Sequence, residues 1–153
     1  MSKEVKNEKN VTVNRKARFE YHILQTYEAG LVLVGTEVKA LRQNKANLTD
    51  AYAAIRDGEV WLLNAHIGVY DFGNINNHEP LRERKLLLNF KEIKKLKNQV
   101  NEKGNTLIPL RIYFTKGKAK LELAVAKGKK MFDKREDIKK KDQKRDLERS
   151  VRY

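Results

Sequence analysis

The chain has 153 residues, a net charge of +14 and no cysteine. That length suits one domain with tails, and the absence of thiols excludes disulfides, thiolate zinc sites and cysteine nucleophiles. No stretch reads as a signal peptide or reaches the ~18–20 apolar residues of a membrane span, so a cytoplasmic protein is expected, and the charge makes nucleic acid the expected partner.

Residues 1–13 are predicted to be a flexible N-terminal arm, because Met1 to Asn10 is almost wholly charged or amide-bearing. From Phe19 to Val34 the chain reads as extended, with Tyr21, Ile23, Tyr27 and the run Leu31 to Val34 as β-formers. Gly30 within that pattern predicts a bulge or a corner bend. Thr36 to Arg42 turns helical, with Val38 and Leu41 three apart on one face.

Tyr52 to Leu63 predicts a hairpin, since Asp57-Gly58 is a type I′ turn signal between two β-forming runs. Gly68 to Pro80 is loop by composition. Arg84 to Leu88 reads as a short strand. A helix follows, capped by Asn89 with Glu92 three residues on, buried through Ile93, Leu96 and Val100, and stopped by Gly104. Thr106 to Ala126 is a second hairpin turning near Lys116-Gly117-Lys118.

Five to seven strands and two short helices without βαβ periodicity predict a mainly β fold. A closed antiparallel OB-type barrel over residues 14–126 accommodates them, and OB barrels often bind nucleic acid. The pattern alone fits a sandwich or an SH3-like barrel nearly as well.

Residues 127–153 are the predicted basic tail. Twelve bases face six acids there, leaving +6 on a segment too poor in apolar residues to build a core. The tail must therefore meet an anionic partner outside its own domain. Glu136 to Lys140 and Asp137 to Lys141 are favourable i,i+4 pairs, so a helix forming upon binding is expected.

No enzyme constellation is visible. His22, His66 and His78 lack metal-ligand spacing, and His22 in a strand pattern reads as structural. Asp71, Glu79 and Glu83 around the long loop are candidates for Mg²⁺, but scattered surface acids seldom form a site. No cofactor, metal site or catalysis is expected. Three basic clusters point instead to phosphate contacts: Arg15, Lys16 and Arg18; Lys39, Arg42 and Lys45; Arg82, Arg84 and Lys85. Phe19, Tyr21, Tyr70 and Phe72 are available to stack on unpaired bases or to pack in the core.

As a series, NRKARFEY, GTEVKALRQNKANLTDAY, DGEVWLLNAHI, PLRERKLLLN and AKGKKMFDKR closely resemble the SmpB family, the SsrA-binding proteins of bacterial trans-translation. The resemblance spans about Asn14 to Arg149. It implies an OB-type barrel and an adaptor that binds the tRNA-like domain of transfer-messenger RNA and brings it to stalled ribosomes. It implies no catalysis; no membrane partner and a monomer are expected.

The resemblance carries RNA contact onto Asn14, Glu28 and Leu87. A carboxylate suits such a contact because it accepts hydrogen bonds from bases or 2′-hydroxyls. Leu87 would face outward if Leu86 and Leu88 face in. The resemblance also implies that the tail acts on small-subunit RNA, in the decoding centre and the empty message channel. The matching residues are Gly128, Lys129, Lys130, Asp133, Lys134 and Arg135, and the expected tail site also takes in Lys127, Phe132, Ile138, Lys139, Lys140, Lys141, Lys144 and Arg145. Phe19 and Phe132 stand where many relatives carry hydrogen-bonding rings, keeping stacking and losing a polar group. The alternative reading is a generic single-stranded RNA or ribosome-associated OB-fold protein.

Overall fold

The computed structural model describes residues 8–73, 77–102, 104–129, 135 and 138–145. Among them the chain runs β1 (Lys9–Val13), α1 (Ala17–Glu20), β2 (Tyr21–Leu31), α2 (Gly35–Arg42), β3 (Ala46–Asn47), β4 (Tyr52–Arg56), β5 (Glu59–Leu63), β6 (His66–Ile67), β7 (Arg84–Leu87), α3 (Phe90–Val100), β8 (Asn105–Thr115) and β9 (Lys118–Gly128). Residues 138–145 are also helical.

Hydrogen bonding runs β1–β8–β4–β5–β7–β2–β9, and β9 returns to β8. All these pairings are antiparallel. Six strands thus close a ring, and β1 lies beside the second half of β8. This is an OB-type barrel, with α3 packing its Ile93, Leu96 and Val100 face onto the barrel core. β3 and β6 pair separately.

Both hairpins turn as their sequences predict. Asp57 and Gly58 have φ of 50° and 76°, and Lys116 and Gly117 have 51° and 76°. Two consecutive positive φ values make the type I′ turn, whose twist matches that of the strands it joins. The N-cap of α3 is also as expected: the Asn89 backbone N–H donates to Glu92 Oε1 at 3.1 Å.

Two bulges decide which side chains face inward. β2 shifts register against β9 between Ile23 and Gln25, and β8 shifts between Pro109 and Arg111. Each extra residue exchanges the inward and outward sets beyond it. Leu107 and Ile112 consequently both reach the core, while Ile108 and Leu110 join an outer cluster with Ala17, Ala124 and Ala126. Pro109 sits at the bulge, where a missing N–H costs least. Simple alternation through Ile108, Leu110, Ile112 and Phe114 does not hold, because α1 covers the outer wall at that level.

Other differences are local. Residues 9–13, expected in the flexible arm, add an edge strand to β8. Phe19 is helical, because α1 must lay Ala17 on the outer cluster. The bulge of β2 lies at Leu24 rather than at Gly30. Gly30 instead faces Leu87 across the β2–β7 pair, where an added Cβ would lie 3.4 Å from Leu87 Cβ.

A buried ion network ties α2 to β7. Arg84 and Glu37 are both fully buried, and Arg84 Nε donates to Glu37 Oε2 at 2.5 Å. Arg84 also donates to the Ala65 carbonyl at 2.8 Å and the Pro80 carbonyl at 3.1 Å. Arg82 donates to Glu37 Oε1 at 2.6 Å, and the Val34 N–H donates to the same oxygen at 2.9 Å. Burial alone would raise the Glu37 pKa. The hydrogen bonds from Arg82, Val34 and Arg84 and the charge of Arg84 outweigh it, and hold the carboxyl below the usual range.

Removing one partner of such a pair strands the other charge. Glu37→Ala should therefore destabilise the fold by about 3–5 kcal/mol in urea unfolding. Because the folded-state pKa of Glu37 is depressed, its contribution is complete above the ordinary carboxylate value. It should be lost as pH falls through the lower folded-state value. Wild type should lose stability across that acid window, and Glu37→Gln should show a flatter pH profile there.

Candidate nucleic-acid interface

The outer wall of β2, β9 and β8 carries the candidate contacts. Glu28 pairs across β9 with Glu122, and Gly30 pairs with Lys120 on one side and Leu87 on the other. Glu28 and Gly30 are two apart and so share a face. Leu87 therefore stands one strand over and two residues along from Glu28, on that same outward face. Its side chain is 52% exposed. Gly30 puts no side chain between them.

Glu28 and Glu122 oppose one another directly, which is unfavourable unless donors intervene. Tyr113 Oη donates to Glu28 Oε2 at 2.5 Å. The Arg111 guanidinium lies 4.0 Å from the Tyr113 ring centre, and donates to Glu122 at 3.3 Å, Glu8 at 3.0 Å and the Asn10 side-chain oxygen at 2.8 Å. Burial, then the hydrogen bond to Glu28 and its charge, push the Tyr113 hydroxyl pKa well above its ordinary value. Tyr113 thus stays a donor at neutral pH. Three carboxylates thus gather here, Glu8 and Glu122 against the Arg111 guanidinium and Glu28 against the Tyr113 hydroxyl, with Lys120 beside them in β9. The patch suits hydrogen-bond donors.

The basic clusters divide by their partners. Arg15, Lys16 and Arg18 are exposed around α1 and make no ion pair among the described residues. Asn14 is half-buried, and its amide donates to the carbonyls of Pro109 at 3.0 Å and Leu48 at 3.3 Å. Both donors are used, which leaves its side-chain oxygen for any ligand. Lys45 pairs with Asp71 at 2.8 Å, and Lys85 pairs with Glu59. Arg82 is partly exposed but held by Glu37. The expectation for Arg84 is corrected: its guanidinium is sealed against Glu37 and two backbone carbonyls, so no phosphate reaches it.

The aromatics divide too. Tyr21 packs beside the outer cluster. Phe72 is 75% exposed and meets Tyr70 edge-on at 5.5 Å, with Lys39 Nζ 5.4 Å from the Tyr70 ring centre. Among the described residues no group of three His, Asp or Glu could hold a metal. Asp71 and Glu83 are engaged by Lys45 and Arg56.

The root of the tail is part of the barrel. Gly128 pairs with Tyr21 as the last residue of β9, and Lys127 pairs with His22. The Lys129 N–H donates to the Glu20 carbonyl at 2.9 Å, and its Nζ donates to the Arg18 carbonyl at 3.0 Å. Beyond it, Arg135, Ile138, Lys139, Lys140, Lys141, Lys144 and Arg145 are helical and exposed. Lys130, Phe132, Asp133 and Lys134 lie outside the described residues.

The sequence model of the SmpB protein family matches residues 11–153. The chain belongs to the SmpB family. Similar members include an SsrA-binding protein of Syntrophomonas wolfei, 60% identical over 99% of this chain and 97% of that protein. One of Desulforudis audaxviator is 59% identical over 95% of each. A solved chain reported under "tmRNA-SmpB: a journey to the center of the bacterial ribosome" superposes with a TM-score of 0.67 at 49% identity, covering 78% of this chain and 85% of that one.

Sequence reasoning did not single out Tyr113 and Arg111. Their alternation with aliphatic residues in β8 was visible, but their meeting with Glu28 depends on the strand order β8–β9–β2. Tyr113→Phe should remove the hydrogen bond and cost about 1 kcal/mol in urea unfolding, with an unchanged denaturant slope.

Proposed function

We propose that the chain is an RNA-binding adaptor. It binds the tRNA-like domain of transfer-messenger RNA and delivers it to stalled ribosomes for trans-translation, without catalysing a reaction itself. Family membership supports the partners. The observation that carries the contact surface is Glu28 beside Leu87 on one outward face, with Gly30 leaving room between them.

Each group there has a distinct task. Glu28 accepts hydrogen bonds from base amino or imino groups or from 2′-hydroxyls, as no lysine can. Tyr113 holds one of its oxygens and leaves the other free. Leu87 packs on a base or a sugar. Arg15, Lys16 and Arg18 supply phosphate contacts that set affinity and register. Lys45, Arg82 and Lys85 contribute less, because carboxylates already offset them.

The tail acts separately. Residues 138–145 form a helix exposed on every side, so nothing in the barrel offsets its ordering. Such a short helix is marginal alone in water and gains stability only in a partner's groove. The empty message channel and decoding centre of the small subunit provide one. No helix among the described residues is long and apolar enough to cross a membrane, and the adaptor works in the cytoplasm as a monomer.

Glu28→Ala and Leu87→Asp should each weaken binding to the tRNA-like RNA roughly five- to a hundredfold, the equivalent of ~1–3 kcal/mol. Circular dichroism should stay unchanged. Unaltered affinity in both would remove this face from the interface.

The tail is tested by Lys141→Pro and by truncation after Lys129, which spares β9. Proline inside the helix costs ~3 kcal/mol or more. Both variants should keep most of the RNA affinity and lose peptide tagging on stalled ribosomes. A tail of scrambled sequence that restored tagging would reduce its role to charge alone.

A further inference from the structure

The cations offered so far surround α1, lie on α2 or in the tail helix, or are neutralised by carboxylates, yet α3 bears a stripe that none of these descriptions covers. Lys91, Lys94 and Lys95 are exposed and make no ion pair among the described residues. They stand at i, i+3 and i+4, on one face. That face is opposite Ile93, Leu96 and Val100, which pack on the core. The one acid of α3, Glu92, is spent on the N-cap.

At the start of the stripe Phe90 is 77% exposed, and Lys94 Nζ lies 5.9 Å from its ring centre. The exposed cation–π contact with Lys94 adds little to the fold, far less than burying the ring would. Phe90 follows Leu87 by three residues, so at most ~10 Å of chain separates them. At its other end α3 approaches β9, where a Cβ on Gly104 would lie 3.4 Å from Lys127 Cε.

We infer that α3 is a second RNA-binding surface. The RNA that contacts Leu87 continues past Phe90, which packs on a sugar or base, and its phosphates lie along Lys91, Lys94 and Lys95. This rests on the proposed adaptor function and extends the contact from the outer wall of β2 and β9 to the helix. Continuity with Leu87 selects this RNA as the occupant.

The test is fluorescence-anisotropy titration of full-length protein with the tRNA-like domain RNA over a range of KCl. Lysine to glutamine keeps helix propensity, so the triple variant K91Q/K94Q/K95Q should fold normally by circular dichroism. Its log Kd against log salt should flatten by about 0.7–0.9 for each phosphate that the variant no longer neutralises. A charge-matched variant, K9Q/K116Q/K118Q, alters lysines around the far turn of the β8–β9 hairpin, and should retain the wild-type slope. Phe90→Ala should weaken binding about fivefold or more at every salt concentration, without changing the slope.

Equal flattening in the two triple variants would reduce the effect to net charge and overturn the inference. So would a wild-type slope in K91Q/K94Q/K95Q, including the case where that variant loses only ribosome activity or binding to anionic vesicles. Wild-type protein that failed to bind the tRNA-like RNA would overturn the adaptor function, and this inference with it.

Discussion

Closure of the ring through β9 is the constraint on which the rest depends. β9 pairs along nearly its whole length with β2 on one side and β8 on the other. Its Leu121, Leu123 and Val125 fill the barrel, while Ala124 and Ala126 lie under α1. A strand buried on both faces tolerates little change in register, because a slip of one residue exchanges the two sets. The small alanines are needed on the outer side, where α1 approaches closely. The same pairing brings Glu122 opposite Glu28, and so creates the carboxylate patch.

Net charge proves a poor guide to where an anion binds. Several of the cations that the sequence brings into basic clusters or near the contact face are internally engaged: Arg84 and Arg82 by Glu37, Lys45 by Asp71, Lys85 by Glu59, and Arg111 by Glu8 and Glu122. These pairs hold loops and strands together. The cations available to phosphate stand elsewhere, on α1, on α3 and in the tail helix. In the proposed interface, specificity would come from the carboxylate patch, which accepts hydrogen bonds from the donor groups of RNA.

Local signals were legible wherever one segment decides its own geometry. Asp57-Gly58 set a turn, Asn89 with Glu92 set a helix start, and the apolar spacing of α3 set its buried face. What the sequence left hidden depends on distant partners. Nothing near Arg84 shows that Glu37, 47 residues earlier, will enclose it. Beside Leu110 only Pro109 hints at the bulge that reverses the alternation, and nothing near Val11 shows an edge strand. Glu28 and Leu87 came from family resemblance. Their adjacency came only with the pairing of β2 to β7.

The anchoring of Lys129 on the carbonyls of α1 makes the barrel a ruler. Lys120 lies in the same row as Gly30 and Leu87, and Gly128 marks the end of the strand eight residues further on. At about 3.3 Å per residue, the contact face and the tail exit are held about 26 Å apart along β9. Neither end can drift, because hydrogen bonds to both neighbouring strands fix every step between them. An RNA that seats on Leu87, as proposed above, would therefore lie about 26 Å along β9 from the point where the tail leaves the barrel.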